Sequence, residues 1–348
     1  MFGERFGRAR SASGLSMKEL GDSVGVSANM IKKYEHGESM PSSPVLIRLA
    51  KTLGVKSEYF FRPNTIVLGE IQYRKRASLP KKTLHKIEAE VLDQAERWME
   101  LKNLWPNFPI DSPNLDLPAN ILHSYEDVEM YANTIREKWG LGSQSITDLT
   151  ALLEEHGYIV IMISYASEGM CDGLQAVIED MPIIVCQNNG DGTRQRFTMA
   201  HELAHHLLSG LLDSNLDEER CCHRFAGALL LPVDSLKREI GEKRHTLEIA
   251  ELYHLKHRYG ISMQACIRRA FDTGIISQTE YTKVCKLFSS RGWRKQEPGE
   301  LYKLEKTFLF TRLVYRALGE HLIGESKAAE LLGKNLMEFH ADRFMGKE

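Results

Sequence analysis

The stretch RFTMAHELAHHLLSG, residues 196–210, decides how the larger part of the chain is read. It holds His201, Glu202 and His205 in the order His-Glu-x-x-His. On a helix, residues four apart lie one turn apart on one face, so the imidazoles of His201 and His205 can reach a single ion. Glu202 falls about 100° around the axis, beside such an ion but not bound to it, where it can take a proton from a water. Small Ala200 and Ala204 permit close packing of a neighbouring element. The alternative is that these are polar side chains satisfied within a core.

The flanks supply the rest of a hydrolytic site. YIVIMISY, DGLQAVIE and MPIIVCQN are short, apolar and rich in β-branched residues, and read as strands, the last two joined by a turn at Asp180–Pro182. Helices are expected from Ser124, over SITDLTALLEEHG, and from Phe197 to about Leu208 after the loop NGDGTRQR. A catalytic zinc site needs a third protein ligand and an open position. The next helix, NLDEERCCHRFAGALLLP, offers Glu218, Glu219, Cys221, Cys222 and His223. Phe225, Ala226, Leu229 and Leu230 define its buried face; Glu219 lies near that face and Glu218 points elsewhere. A carboxylate on the core side needs a partner, and a dication is one, which favours Glu219 as the third ligand. Cys222 is read either as a thiolate contact or as a small buried hydrophobe. His206 faces away from the ion and reads as structural.

RFTMAHELAHHLLSG with EERCCHRFAGALLLP, preceded by SITDLTALLEEHGYIVIMI and CDGL, resembles the ImmA/IrrE family of zinc metallopeptidases. The resemblance implies a gluzincin-like site in which a Glu four residues before an Asn or Asp completes the coordination. Glu219 occupies the ligand position, and His223 stands where the Asn or Asp would be. That departure makes His223 either a hydrogen-bonding support for a ligand imidazole or an alternative ligand.

Residues 1–63 form a separate unit with 10 Lys/Arg against 6 Asp/Glu, although the whole chain has a net charge of only −2. A local basic surplus on a near-neutral chain fits one nucleic-acid-contacting face. FGERFGRARSASG reads as a helix ending at Gly14, Ser16 and Glu19 as a capping box, and Gly25-Val26 as a tight turn. Ser27 caps ANMIKKYEHG, which Gly37 stops. LSMKELGDSVGVSANMIKKYEHG, followed by Pro41 and LIRLAKTLGV, resembles the helix-turn-helix of Xre/Cro-type repressors. The resemblance implies that Ala28, Asn29, Lys32 and Lys33 face the major groove of an operator while Lys18 and Ser27 grip phosphate. Met17 departs from the Gln usual there. A helical protein–protein module is the alternative.

Between these units, residues 64–123 form a helical connector and a proline-rich linker. The basic run Arg74, Lys75, Arg76, Lys81 and Lys82 reads as a solvated face or as added phosphate contacts. Apolar residues near 84, 87, 91, 95, 98 and 101 make one helical stripe that needs a neighbour, either within the chain or in a second copy, as in a homodimer. Pro106, Pro109, Pro113 and Pro118 rule out a helix over the next stretch, read as a linker or strap.

The metallopeptidase-like domain is expected over 124–240 and an all-helical region of unassigned role over 241–348, within which 255–290 has the look of a second helix-turn-helix. The fold class is therefore multidomain and mostly α, with a small sheet in an α+β core. No apolar run is long enough to span a bilayer, the N-terminus lacks an apolar signal region, and six scattered cysteines form no framework, so a reduced, cytoplasmic protein is expected. The functional expectation is a DNA-binding regulator with a zinc-dependent endopeptidase, Mn2+ being the alternative ion, that cleaves a partner protein. By the resemblance that partner is an Xre-type repressor. Arg194 and Arg196 are candidate substrate contacts, and the strand at 183–187 a candidate edge for an extended peptide. The rival expectation is a non-proteolytic transcription factor or antitoxin whose metal domain senses or assembles. Self-cleavage at PNFPIDSPNLDLP is a third.

Overall fold

The structure, a computed structural model, describes residues 2–61, 81–113, 115, 117, 120–163, 173–178 and 181–344. The basic residues Arg74, Lys75 and Arg76 lie outside the described residues, as do the side chains of Lys81 and Lys82.

The N-terminal unit folds as its punctuation dictates. Helices α1 (Phe2–Ser13), α2 (Met17–Val24), α3 (Ala28–Glu35) and α4 (Ser43–Leu53), with a 3-10 turn over Ser57–Phe61, enclose a core that includes Phe6, Leu20, Ile31, Leu49 and Phe60. Ser16 and Glu19 form a reciprocal capping box, and Ser27 accepts from the Met30 amide at the start of α3. Gly25 closes α2 in the left-handed region, φ +76°, a conformation that a side chain would strain. Met17 is partly buried against this core.

Helix α5 (Lys81–Lys102) is the joint between the two halves of the chain. Its stripe Ile87, Val91, Ala95, Trp98 and Leu101 is buried, but inside this chain rather than against a second copy. The other side of α5 meets α1: Glu96 accepts from Arg5 and Arg8, each at 2.7 Å, with Arg5 and Glu96 almost without solvent exposure. The proline-rich stretch then runs as a strap over both later cores, with Phe108 and Ile110 against one and Leu115 and Leu117 against the other. It passes so close to Gly157 that a Cβ there would strike the carbonyl of Asp111.

Helices α6 (Tyr125–Lys138) and α7 (Leu149–Glu155) precede a three-stranded sheet of β1 (Ile159–Ile163), β2 (Gly173–Ile178) and β3 (Met181–Gln187), in the order β1-β3-β2. β1 pairs parallel with β3, Ile159 opposite Ile183; β2 pairs antiparallel, Gly173 opposite Cys186. Residues 183–187 are therefore central, not an edge, because β3 receives hydrogen bonds on both sides. Alternation sends Val160, Ile184 and Cys186 into one core and Ile159, Ile161, Ile163, Ile183 and Val185 into another. The second core is the one that buries the α5 stripe, together with α14 (Leu309–Gly319), α15 (Glu325–Leu331) and α16 (Leu336–Arg343).

The first core holds α8 (Gly192–Leu208), α9 (Glu218–Leu230), α10 (Val233–Ile240), α11 (Ile249–Tyr259), α12 (Met263–Asp272) and α13 (Gln278–Ser290). It runs without interruption from Leu122 to Phe288, so a boundary at 240/241 would cut through it. Helix α12 is buried there through Met263, Cys266, Ile267 and Ala270. Nor is the region after 240 helical throughout. No helix forms between Ser290 and Leu309, and there residues 301–307 are extended because their hydrogen bonds go to α7 and α8 instead of to one another. No helix among the described residues is long and apolar enough to cross a membrane.

Candidate metal centre

Helix α8 begins five residues earlier than its sequence suggests, at Gly192, because Asp191 caps it by accepting from the Thr193 amide. Gly192 is required by the tertiary fold: the extended segment crosses here, its Tyr302 carbonyl accepting from the Gly192 amide, and a Cβ would meet the Lys303 carbonyl. Three further ties hold this end. Asp191 accepts from the wholly buried Lys256 at 2.8 Å, and Lys256 also pairs with Glu297 at 3.3 Å. The Gln195 side chain accepts from the Glu305 amide at 2.8 Å. Arg196 pairs with Glu305 and donates to the carbonyls of Ile146 and Gly260. Glu305 in turn accepts from the Leu149 and Thr150 amides at the start of α7. Arg196 is thus fully buried structural cement and cannot contact a substrate; Arg194 is exposed on the same turn.

Two turns along, α8 presents His201 and His205 toward α9. Their Nε2 atoms lie 3.0 Å apart. Glu219, in the first turn of α9, sets its carboxylate across both rings, Oε2 at 3.4 Å from His201 Nε2 and Oε1 at 3.4 Å from His205 Nε2. Two imidazole nitrogens and a carboxylate within 3.4 Å of one another are the nitrogen and oxygen donors that a zinc-type cation takes. The donor set therefore fits a small divalent cation. The depth of the three differs. His205 is 2% exposed and His201 14%, while Glu219 is 55% exposed and arrives from the solvent side. Core burial of the carboxylate is thus not what selects Glu219; its position opposite both imidazoles is.

The surroundings of His205 are unlike the expectation. Its Nδ1 faces Cys222 Sγ at 3.0 Å and Glu218 Oε1 at 3.5 Å. Glu218 consequently turns toward the centre, not away, because the first turn of α9 lies across the end of the His205 ring. With Nε2 reserved for an ion, Nδ1 carries the proton and donates it outward, as ligating imidazoles do. His223, one turn after Glu219, is exposed and donates from Nδ1 to the Glu219 carbonyl at 2.6 Å. Its ring stands 4.6 Å from that of His201. Glu202, which follows His201 on α8, is buried, 8% exposed. His206 packs edge-on against Tyr158 on the opposite side of α8, where burial lowers its pKa.

Two of the neighbouring thiols, Cys186 and Cys221, are held in the protonated form. Burial pushes Cys186 up to about 12, with Glu305 and Glu202 adding to the shift, and Cys221 up to about 11. Two supporting residues, Cys222 and Glu305, carry no sequence signal strong enough to assign them. Cys222 shares the Glu219 face at helical spacing, but Glu305 has no local mark.

At the other end of the chain, Lys18 in the first turn of α2 and Ser27, Ala28, Asn29, Lys32 and Lys33 at the start and along the outer face of α3 are all exposed. That leaves one side of the second helix of the turn motif open to a partner.

Residues 154–271 match the family model of the IrrE N-terminal-like domain, within the M78 peptidases, and residues 8–60 match a helix-turn-helix model. An HTH-type transcriptional regulatory protein of Pyrococcus furiosus is 36% identical over 95 residues, 27% of this chain and 28% of the relative. The SPbeta prophage-derived HTH-type transcriptional regulator YonR of Bacillus subtilis is 32% identical over 62 residues, 18% of this chain and 57% of the relative. The matched segments thus span well under two thirds of either relative. The crystal structure of Bacillus thuringiensis PlcR with the peptide PapR7 and DNA covers 99% of this chain and 98% of its own at 10% identity, with a TM-score of 0.18 that carries no argument.

Proposed function

We propose that this chain, an Xre-type helix-turn-helix module joined to a peptidase-like domain of the IrrE/ImmA kind, is a DNA-binding transcriptional regulator that hydrolyses a peptide bond in a partner protein. One observation carries the reading: donors from His201, His205 and Glu219 converge from two helices, and the residue next to His201 on α8, Glu202, is a buried acid. His201, His205 and Glu219 would hold a divalent ion, Zn2+ or in its place Mn2+, which when bound would lower the pKa of a water toward neutrality and polarise a carbonyl. His201 and His205 offer their Nε2 lone pairs and Glu219 its carboxylate. Glu202 takes the proton from the attacking water and passes it to the leaving amine. A zinc site of purely structural type has no use for such a carboxylate. The edge strand we assign to an extended substrate is β2, which flanks β3 and contacts α8.

The substrate we propose is a repressor of the Xre type, cut while both proteins occupy one operator. Lys18, Ser27, Ala28, Asn29, Lys32 and Lys33 form the DNA face, and tethering to the operator raises the local concentration of peptidase around its target. Both relatives are named as regulators, one of them from a prophage. The free cysteines among the described residues fit a reducing, cytoplasmic setting.

The deciding experiment assays zinc-dependent cleavage of a co-encoded repressor by the full chain and by Glu202→Gln, with operator binding measured in parallel. Cleavage by the wild type alone, with binding by both, is the expected result. Cleavage that survives in the variant rules out the role given to Glu202. Operator binding without cleavage by either protein means that the metal domain serves sensing or assembly.

A further inference from the structure

We infer that His223 supplies a fourth protein donor to the same ion, closing the centre in its resting form, and that the centre opens when this ring swings out. The inference rests on the reading that an ion sits among His201, His205 and Glu219.

Four observations support it. A ring nitrogen of His223, one of His201 and a carboxylate oxygen of Glu219 all lie within 4.8 Å of one another, close enough for a single cation to draw together. The Nδ1 of His223 points at a carbonyl, which can only accept, so Nδ1 holds the proton and Nε2 keeps its lone pair. That is the tautomer of a ligating imidazole whose other nitrogen is fixed by a main-chain oxygen. Glu219 and His223 sit four residues apart on α9, one turn, as His201 and His205 do on α8, so each helix presents a pair. Finally, the donors differ in depth. His205 is buried, whereas His223 is exposed, its ring 4.6 Å from that of His201 and 5.8 Å from that of Phe197 and its Nδ1 bonded to the Glu219 carbonyl.

Four protein donors make a closed site of structural type, and three leave a position open for chemistry. The exposed donor is the one that can leave without opening a cavity, because solvent takes its place. His223 is in this account a latch: engaged, it denies the ion to water, and displaced by an incoming chain or by rotation toward solvent, it frees one position.

The zinc-loaded full chain, His223→Ala and His223→Asn are compared by X-ray absorption at the zinc edge, which counts imidazoles from their outer-shell scattering. The expected result is three imidazoles in the wild type, from His201, His205 and His223, and two in each variant, with one zinc per chain and unchanged far-UV circular dichroism. In the cobalt(II) forms, azide is expected to shift the visible spectrum of His223→Ala at least tenfold more readily than that of the wild type. Two imidazoles in the wild type with one zinc bound would overturn the latch and leave the proposed peptidase intact. Azide acting equally on both proteins would also overturn it. A wild-type chain that is folded and binds no zinc would sink the latch and the peptidase together.

Discussion

Arg196 and Glu305 form an ion pair sealed from solvent, with side-chain exposures of 0% and 3%, across 109 residues of chain. It joins the helix that carries His201 and His205 to the extended segment near the C-terminus, and through Glu305 to the start of α7. Removing one partner leaves a buried guanidinium uncompensated, at a cost of about 3–5 kcal/mol. Glu305→Ala is expected to lose that much stability in urea unfolding and to bind zinc more weakly, since α8 loses its anchor. A loss below about 1 kcal/mol would show that the tail merely rests on the domain.

The thiol of Cys222 is expected to orient His205 through Nδ1. Loss of such an outer partner typically weakens metal binding about 10- to 100-fold. Cys222→Ala should show that loss in chelator competition, while Cys222→Ser, which keeps an acceptor in place, should recover most of it. Equal affinities in Cys222→Ala and the wild type would reduce Cys222 to a filler of space.

Glu154 should make stability fall as the solution becomes less acidic. Its carboxyl is 5% exposed; one oxygen accepts from the Leu309 amide at 3.2 Å, and the other has no hydrogen-bond partner among the described residues. Burial pushes its pKa up from 4.5 to about 7. The folded state therefore holds a proton that the unfolded chain releases, so stability is highest below the unfolded value and declines from about pH 4.5 to pH 7. The full span is on the order of 3 kcal/mol. Glu154→Gln, which stays neutral, should lack this slope and be the more stable protein at pH 8; parallel slopes in thermal melts of the two would contradict this.

The proposed DNA face is expected to divide into residues that grip and residues that read. Lys18→Ala is expected to weaken binding to every sequence alike and to flatten the dependence of log K on log salt by about 1. Asn29→Ala should instead lose about 1–3 kcal/mol of discrimination at one base pair and leave the salt slope alone. Gel-shift titrations at several salt concentrations on operator and scrambled DNA would distinguish them. An unchanged slope for Lys18→Ala would move the phosphate contact elsewhere.

Much of this molecule can be read locally. Ser16 with Glu19, Ser124 with Asp127, and Ser262 announce helix starts because a cap needs only residues within one turn. The strands show themselves by composition, and His201 and His205 by a spacing that any helix turns into a shared face. Glu219 could be chosen over Glu218 from helical phase, though for the wrong reason, since the carboxylate lies on the solvent side and Glu218 also approaches the centre.

What needed the tertiary structure is everything that depends on distant partners. The stripe on α5 declares that it must be covered, and a hydrophobic surface carries no address: here the cover is the sheet and the last three helices of the same chain. The position of β3 in the middle of the sheet follows from which backbone edges meet, a choice that composition does not encode. Arg196, beside the histidine motif, invites a functional reading, and only its burial against Glu305 turns it into an anchor. The sequence by itself determined the local elements, the turn motif and the residues capable of holding an ion, because caps and periodicity act over a few residues. The fold decided which of those residues meet, because a contact across a hundred residues exists only once packing has made it the lowest-energy arrangement.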